Sequence, residues 1–190
     1  EPSATPTPTE SPSFFTEDFQ RDLSTWTYFV KSGDKEKMTI STDQGGIVTR
    51  LDDVDLAVYF YYDPHLYNDV VIDMSYRNQG RNSNNVNLIC RYSDAGWYEF
   101  TVQNDGLYQI WAYSNGYELL ANGGSTAIRM GQDSNQISAA CVGNKLSLSI
   151  NGIATRTIND SRFFLGQGKV GFGVNISALN PVTPVIVSFD

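Results

Sequence analysis

Closely spaced turn signals are the feature that most restricts the fold of this 190-residue chain. From Phe14 onward, short runs of alternating apolar and polar residues are separated by pairs such as Asp105-Gly106, Asn115-Gly116 and Asn151-Gly152. Such pairs favour tight turns between antiparallel strands, and a period of two is typical of a strand with one buried face. No window of twelve residues has apolar positions at helical spacing. The sequence therefore predicts an all-β, two-sheet antiparallel jelly-roll sandwich.

The alternation also assigns faces to the strands predicted in the middle of the chain. We expect Asp105-Gly106 to form a two-residue hairpin loop, which pairs Phe100 with Trp111 and sends Trp111 into the core. A slip of one residue would change these pairs but not the alternation within each strand. Further strands are predicted at 56–62, 69–77, 137–142, 168–175 and 184–190. The polar face then carries Asn87, Arg91, Trp97, Glu99, Thr101, Gln103 and Tyr108.

The first twelve residues, EPSATPTPTESP, differ in composition from the rest because they contain four prolines and no large apolar residue. Such a segment cannot form a packed core, so we assign residues 1–13 to a disordered Pro/Thr-rich linker and 14–190 to one β-sandwich domain. The alternative to a tethering linker is a terminus that is merely disordered. Linkers of this kind commonly tether exported modules. We therefore expect an extracellular or cell-surface location, with any signal or anchor outside this chain.

Charge and hydropathy exclude several classes of partner. The formal net charge is −8, and the 13 Lys and Arg residues form no basic cluster. A nucleic-acid backbone or an anionic membrane surface is therefore a poor partner. No apolar stretch approaches the length of a membrane-spanning helix, so direct membrane insertion is not expected either.

Cys90 and Cys141 are the only cysteines, and each lies in a predicted strand beside apolar residues. They form no Cys-x-x-Cys pair, and the single histidine, His65, leaves no ligand set for zinc. In an exported protein the natural interpretation is one disulfide between them. The alternative is two buried thiols that pack as small apolar side chains.

Several segments, taken in order, resemble a known superfamily. They are FTEDFQRDLSTWT, LICRYSDAGWYEFTVQNDGLYQIW, AACVGNKLSLSINGIATRTIND, GQGKVGFGV and the final VSFD. Together they resemble bacterial secreted domains of the concanavalin A-like lectin/glucanase superfamily, including laminin-G-like and 3-keto-disaccharide hydrolase-like modules, over residues 14–190. The resemblance implies a jelly roll whose concave sheet can hold carbohydrate. It also implies a structural calcium ion, for which Asp18 and Asp190 at opposite chain ends are the candidate ligands.

The sequence lacks the acidic motif of the glucanases in this superfamily. Those enzymes carry Glu-x-Asp-x-(x)-Glu on one strand, whereas only Glu99 and Glu118 follow Glu36 here. Hydrolysis of a glycoside ordinarily needs two carboxyl groups across the bond. Glu99 is expected to pair with Arg91 across neighbouring strands, and Asp73 is a remote candidate for a second carboxyl group. We therefore assign no catalytic residue.

Planar polar side chains beside aromatic rings favour an extracellular, non-catalytic carbohydrate-binding or adhesion module, with an oligosaccharide, polysaccharide or surface glycoconjugate as partner. The alternatives are a glycan-active hydrolase that uses Glu99 and a laminin-G-type protein-interaction module. An ordinary solvated sheet face would show the same alternation. The predicted ligand-binding residues are Asn87, Arg91, Trp97, Glu99, Gln103 and Tyr108.

Overall fold

The structure is a computed structural model that describes residues 13–20, 23–43 and 45–190. Apart from Ser13, the predicted linker lies outside the described residues. Fourteen strands and one short 3-10 turn, Lys35–Lys37, follow each other along the chain. The strands are β1 Trp26–Ser32, β2 Met38–Asp43, β3 Gly46–Leu51, β4 Ala57–Tyr62, β5 Val70–Asn78, β6 Asn84–Ser93, β7 Gly96–Gln103, β8 Leu107–Tyr113, β9 Tyr117–Gly124, β10 Ser134–Val142, β11 Lys145–Ile150, β12 Ile153–Asn159, β13 Lys169–Ile176 and β14 Val185–Phe189.

The strands form two antiparallel sheets of seven strands each. The front sheet has the order β1-β4-β13-β6-β7-β8-β9, and the back sheet has the order β12-β11-β10-β5-β14-β3-β2. This arrangement confirms the predicted all-β jelly-roll sandwich. The five strands that the alternation did not predict are β1, β2, β3, β9 and β12, and four of these are sheet edges. Edge strands are more exposed, so their apolar and polar residues alternate less regularly.

The core lies between the two sheets and is built from their inward-facing apolar side chains. Leu88 and Phe100 of the front sheet and Ile137 and Phe189 of the back sheet have no exposed surface. A disulfide joins Cys90 on β6 to Cys141 on β10 and so links the two sheets through the core. The predicted disulfide is confirmed.

The hairpin between β7 and β8 corrects the predicted placement of Trp111 and Tyr108. Its loop has three residues, 104–106, and ends on Gly106 with a φ of +92°. The register therefore pairs Glu99 with Trp111, one residue away from the predicted register. Consequently Trp111 faces outward, whereas Tyr108 is 6% exposed and belongs to the core.

Arg91 also lies elsewhere than predicted, because β6 bulges between Cys90 and Ser93. The backbone at Arg91 has a φ of +56°, and Ile89, not Arg91, is the residue that pairs with Glu99. The buried guanidinium of Arg91 donates hydrogen bonds to backbone carbonyls of three loops, those of residues 68, 143 and 165, over 2.7–3.0 Å. Arg91 thus fastens loops and does not share a face with Glu99.

Candidate functional site

The outward face of the front sheet is strongly concave. The Tyr59 hydroxyl on β4 lies 3.2 Å from the Tyr117 hydroxyl on β9, although four strands separate these two strands in the sheet. In a flat sheet the two strands would be about 24 Å apart, well beyond the combined reach of two tyrosine side chains. The sheet therefore curls, and its outward face encloses a groove of about 370 Å³.

Glu99 lies at the centre of this groove and is 4% exposed. Its Oε2 accepts hydrogen bonds from Trp97 Nε1 at 3.1 Å and from the hydroxyls of Tyr59 at 3.1 Å and Tyr117 at 3.0 Å. Its Oε1 accepts a hydrogen bond from Thr101 at 3.2 Å. Burial raises the pKa of the Glu99 carboxyl, while the four donors act in the opposite direction. Glu99 thereby connects three strands of the curled sheet.

Amide side chains from four neighbouring strands, β13, β6, β7 and β8, share the outward face of the sheet with Glu99. Asn87 donates to Asn175 Oδ1 at 2.9 Å, and Gln103 donates to Gln109 Oε1 at 3.0 Å. The buried side-chain oxygens of Asn85, Asn87 and Gln103 have no hydrogen-bond partner among the described residues. A buried acceptor without a partner costs roughly 1–3 kcal/mol, so such groups point to a water or a ligand that completes them.

Aromatic rings line the other side of Glu99. Trp97 stacks on Tyr113 with ring centroids 4.0 Å apart, and Tyr117 packs edge-on against Tyr113 at 5.0 Å. Trp111 lies edge-on to Tyr117 at 5.8 Å, and both of these rings line the groove. The groove therefore offers apolar ring surface beside polar atoms.

Comparison with known proteins places this geometry in a structural context. No protein-family model and no curated protein matches the sequence. The carbohydrate-binding module CBM66 from Bacillus subtilis is similar in structure, with a TM-score of 0.64, 14% identity and coverage of 87% of this chain and 92% of that one. A Bacillus subtilis protein with a galectin-like fold has a TM-score of 0.68, 12% identity and coverage of 95% of this chain and 94% of that one. A Bacillus licheniformis β-glucanase has a TM-score of 0.60, 13% identity and coverage of 91% and 93%.

These three neighbours share one architecture over nearly their whole length. The chain has the concanavalin A-like jelly-roll fold. The resemblance inferred from the ordered sequence segments is therefore confirmed at the level of fold. Among the neighbours are both a binding module and a glycan-hydrolysing enzyme, so the jelly roll alone does not separate these two functions.

The jelly roll brings together four of the six predicted ligand-binding residues. Asn87, Trp97, Glu99 and Gln103 share the concave face, as their spacing predicts, whereas Arg91 and Tyr108 do not. Whether any of the four contacts a ligand stays a prediction.

The predicted ligand-binding set lacks seven residues that line the groove, namely Lys31, Tyr59, Asn85, Gln109, Trp111, Tyr117 and Asn175. A three-residue loop before Leu107 would have placed Gln109 and Trp111 correctly, because both then alternate with the core residue Ile110. Lys31 carried no usable signal, because it lies on an edge strand that the alternation did not reveal.

The predicted calcium ligands, Asp18 and Asp190, do not line the groove and lie near the two ends of the described chain. The backbone carbonyl oxygen of Asp18 lies near Gly45. The following residue, Gly46, contacts the backbone of Phe189, which directly precedes Asp190. Calcium takes six to eight oxygen ligands, and no group of three or more acidic, histidine or cysteine side chains is found among the described residues. The calcium site stays a prediction.

Proposed function

We propose that the concave face of the front sheet binds carbohydrate and that the chain is an extracellular, non-catalytic binding module. The observation that carries the proposal is the buried amide oxygen of Asn85, which lines the groove beside Trp111 and Tyr117 and has no hydrogen-bond partner among the described residues. Two more such oxygens, on Asn87 and Gln103, lie on the same face of the sheet. Sugar hydroxyls can donate to such oxygens, and the C–H faces of a pyranose or furanose ring can stack on Trp111 and Tyr117. Small-molecule sites usually combine apolar surface with a few fixed polar groups.

The number of carboxyl groups that line the groove favours binding over hydrolysis. Glu99 is the only carboxyl group among the described residues that line the groove, whereas glycosidases ordinarily use two. Its Oε2 is already occupied by three donors from Trp97, Tyr59 and Tyr117. We therefore assign Glu99 a positioning role, in which it holds the rings and strands of the groove in place.

The disulfide supports the proposed location. Disulfides form and persist in oxidising compartments, and Cys90–Cys141 is fully buried. Among the described residues, no helix is long and apolar enough to cross a membrane. The carbohydrate-binding module from Bacillus subtilis, which has a similar fold, adds indirect support for a glycan partner outside the cell.

Glycan binding is tested on an array, followed by calorimetry with the glycans that bind. We expect Trp111→Ala to weaken binding at least tenfold, because the substitution removes the ring on which the sugar stacks. Ile153→Ala is the matched control, because Ile153 is an exposed apolar residue on an edge of the back sheet, and it should leave the affinity unchanged.

Three results would overturn the proposal. One is the absence of any bound glycan, which would favour a protein-interaction module. Another is equal affinity of Trp111→Ala and the unaltered protein. The third is release of new sugar ends from a bound glycan that disappears in Glu99→Gln, which would identify a hydrolase.

A further inference from the structure

Lys31 holds the one positive charge among the described residues that line the groove. It lies on the edge strand β1, where the pairing with β4 shifts between Val30 and Ser32. The register pairs Val30 with Val58 and Ser32 with Ala57, and Lys31 between them is the extra residue. A bulge of this kind re-aims a side chain, and here it directs Lys31 across the concave face.

Three aromatic rings on the opposite side of the groove hold the ammonium group of Lys31. The Nζ atom lies 4.0 Å from the ring centroid of Tyr113, 5.3 Å from that of Tyr117 and 5.4 Å from that of Trp97. Cation–π contacts at these distances attract the ammonium group and restrict the flexible lysine stem. Because Tyr117 belongs to the other edge strand, β9, the Lys31 side chain spans the groove from edge to edge.

The ammonium group has no acceptor oxygen in the described part of the chain. Lys31 takes part in no ion pair and in no side-chain hydrogen bond there, and its side chain is half-buried. The rings attract its charge but leave its hydrogen-bonding capacity available to a ligand. Partial burial of the Lys31 charge has a desolvation cost. A methionine would fill the same space without that cost, so a purely space-filling role does not explain a lysine at this position.

We infer that the groove binds a glycan that carries an anionic group, a carboxylate or a sulfate, and that Lys31 is the residue that contacts this group. The inference rests on the proposed function and names its ligand class. A compact ammonium is suited to a single anionic oxygen group, and a charged hydrogen bond to it is about twice as strong as a neutral one. The neighbouring amide oxygen of Asn85 remains available for a sugar hydroxyl.

The surrounding charges make a fixed cation necessary for such a ligand. The chain has a net charge of −8, which repels anions from its surface in general. Glu99 is the one carboxyl group among the described residues that line the groove, and both of its oxygens accept hydrogen bonds from protein donors. Lys31 therefore provides an attractive position inside an otherwise unfavourable field.

Matched pairs of glycans test the inference. Calorimetry with the whole chain compares oligogalacturonate with its methyl ester, and a sulfated oligosaccharide with its desulfated form. We expect one anionic member to bind roughly tenfold more tightly than its neutral counterpart, and this preference to shrink at high salt. A preference in the first pair identifies a carboxylate as the ligand group, and a preference in the second identifies a sulfate.

Three variants assign that preference to Lys31. Lys31→Met should bind the anionic and neutral members of a pair with equal affinity, and Lys31→Arg should retain the preference. Lys145→Met is the control, because Lys145 is exposed on the back sheet, and it should change nothing. Circular dichroism and a melting curve confirm that each variant is folded.

Two results overturn the inference without affecting the proposed function. The first is binding of neutral glycans with no preference for any anionic counterpart, and the second is an anionic preference that survives in Lys31→Met. Failure to bind any glycan, neutral or anionic, would instead overturn both proposals together.

Discussion

Glu99 shows how one buried side chain can organise a groove. Its carboxyl group is almost fully removed from water, yet its Oε2 alone receives donors from β4, β7 and β9. Each donor restrains a ring that would otherwise choose among several rotamers. The groove is therefore preorganised by hydrogen bonds to a single residue, and a ligand need not bear the entropy cost of ordering these rings.

Replacing Glu99 by Gln should change how stability depends on pH. Because the folded pKa of Glu99 is raised, the folded state binds more protons than the unfolded state between the ordinary pKa of about 4.3 and that raised value. Glu99 therefore lowers the stability of the protein as the pH rises through this window. Glu99→Gln lacks this titration. As the pH rises through this window, the free energy of unfolding of Glu99→Gln should therefore increase relative to that of the unaltered protein.

Denaturant unfolding at a series of pH values measures this difference. The Gln side chain can still accept from Trp97 and the tyrosines through its oxygen and donate to Thr101 through its amide. Glu118→Gln is the control, because it removes an exposed carboxyl group from β9. Stability curves for Glu99→Gln and the unaltered protein that stay parallel at every pH would show that burial does not perturb Glu99.

At the scale of elements, the glycines of β13 decide where the ring of Tyr59 can lie. Gly173 pairs with Tyr59 on one side and with Asn87 on the other. A Cβ atom on Gly173 would lie 2.6 Å from the Tyr59 ring and 2.6 Å from the carbonyl oxygen of Val58. The absence of a side chain on β13 thus lets Tyr59 lean across the sheet toward Glu99.

Gly173→Ala should therefore displace Tyr59 and loosen the groove. We expect a loss of about 1–3 kcal/mol in the free energy of unfolding, the range for overpacking a filled site, together with weaker glycan binding. Gly166→Ala is the matched control, because a Cβ atom at Gly166 meets no atom within 4 Å. Equal melting temperatures for the two variants would contradict this account.

Sequence patterns predicted the central strands well and the edges poorly, for a physical reason. Alternation reports burial on one face, and the central strands of each sheet are buried on that face over their whole length. β12 is exposed along most of its length, so its residues carry little such information. A shift of one residue moves a side chain to the opposite face of the sheet. The face predicted for Trp111 therefore depended on the length of one loop, and the face predicted for Arg91 depended on one bulge.

The groove was predictable only in part for the same reason. Asn87, Trp97, Glu99 and Gln103 lie on strands with regular alternation, so their common face followed from sequence. Tyr59 and Lys31 meet groups of the opposite strands because the sheet curls, and the β1 bulge also directs Lys31 there. Curvature is a property of the assembled sheet, and no local pattern of residues records it.

At the scale of the whole molecule, the disulfide is the one covalent cross-link between the two sheets apart from the backbone itself. Cys90 lies on β6 in the middle of the front sheet, and Cys141 lies on β10 of the back sheet, 51 residues later. The bond closes a loop that contains the hairpin of β7 and β8 and the strand β9. In the unfolded chain the bond therefore limits the separation of residues 90 and 141, which lowers the conformational entropy of the unfolded state.

Removal of the disulfide should destabilise the protein without abolishing its binding site. We expect the double variant Cys90→Ala/Cys141→Ala to lose about 2–4 kcal/mol in the free energy of unfolding. Glycan affinity at low temperature should remain close to that of the unaltered protein, because the groove is on the outward face and the disulfide is in the core. Equal unfolding midpoints for the double variant and the oxidised protein would argue against this role.

The contact of Lys31 with Tyr117 joins the two free edges of one sheet. β1 and β9 are far apart in sequence and share no backbone hydrogen bonds, yet a side chain of each rests on the other. Fraying at either edge would break this contact, so we expect the two edges to open together. In hydrogen-exchange experiments, the amides of β1 and β9 should therefore become protected together when a ligand occupies the groove.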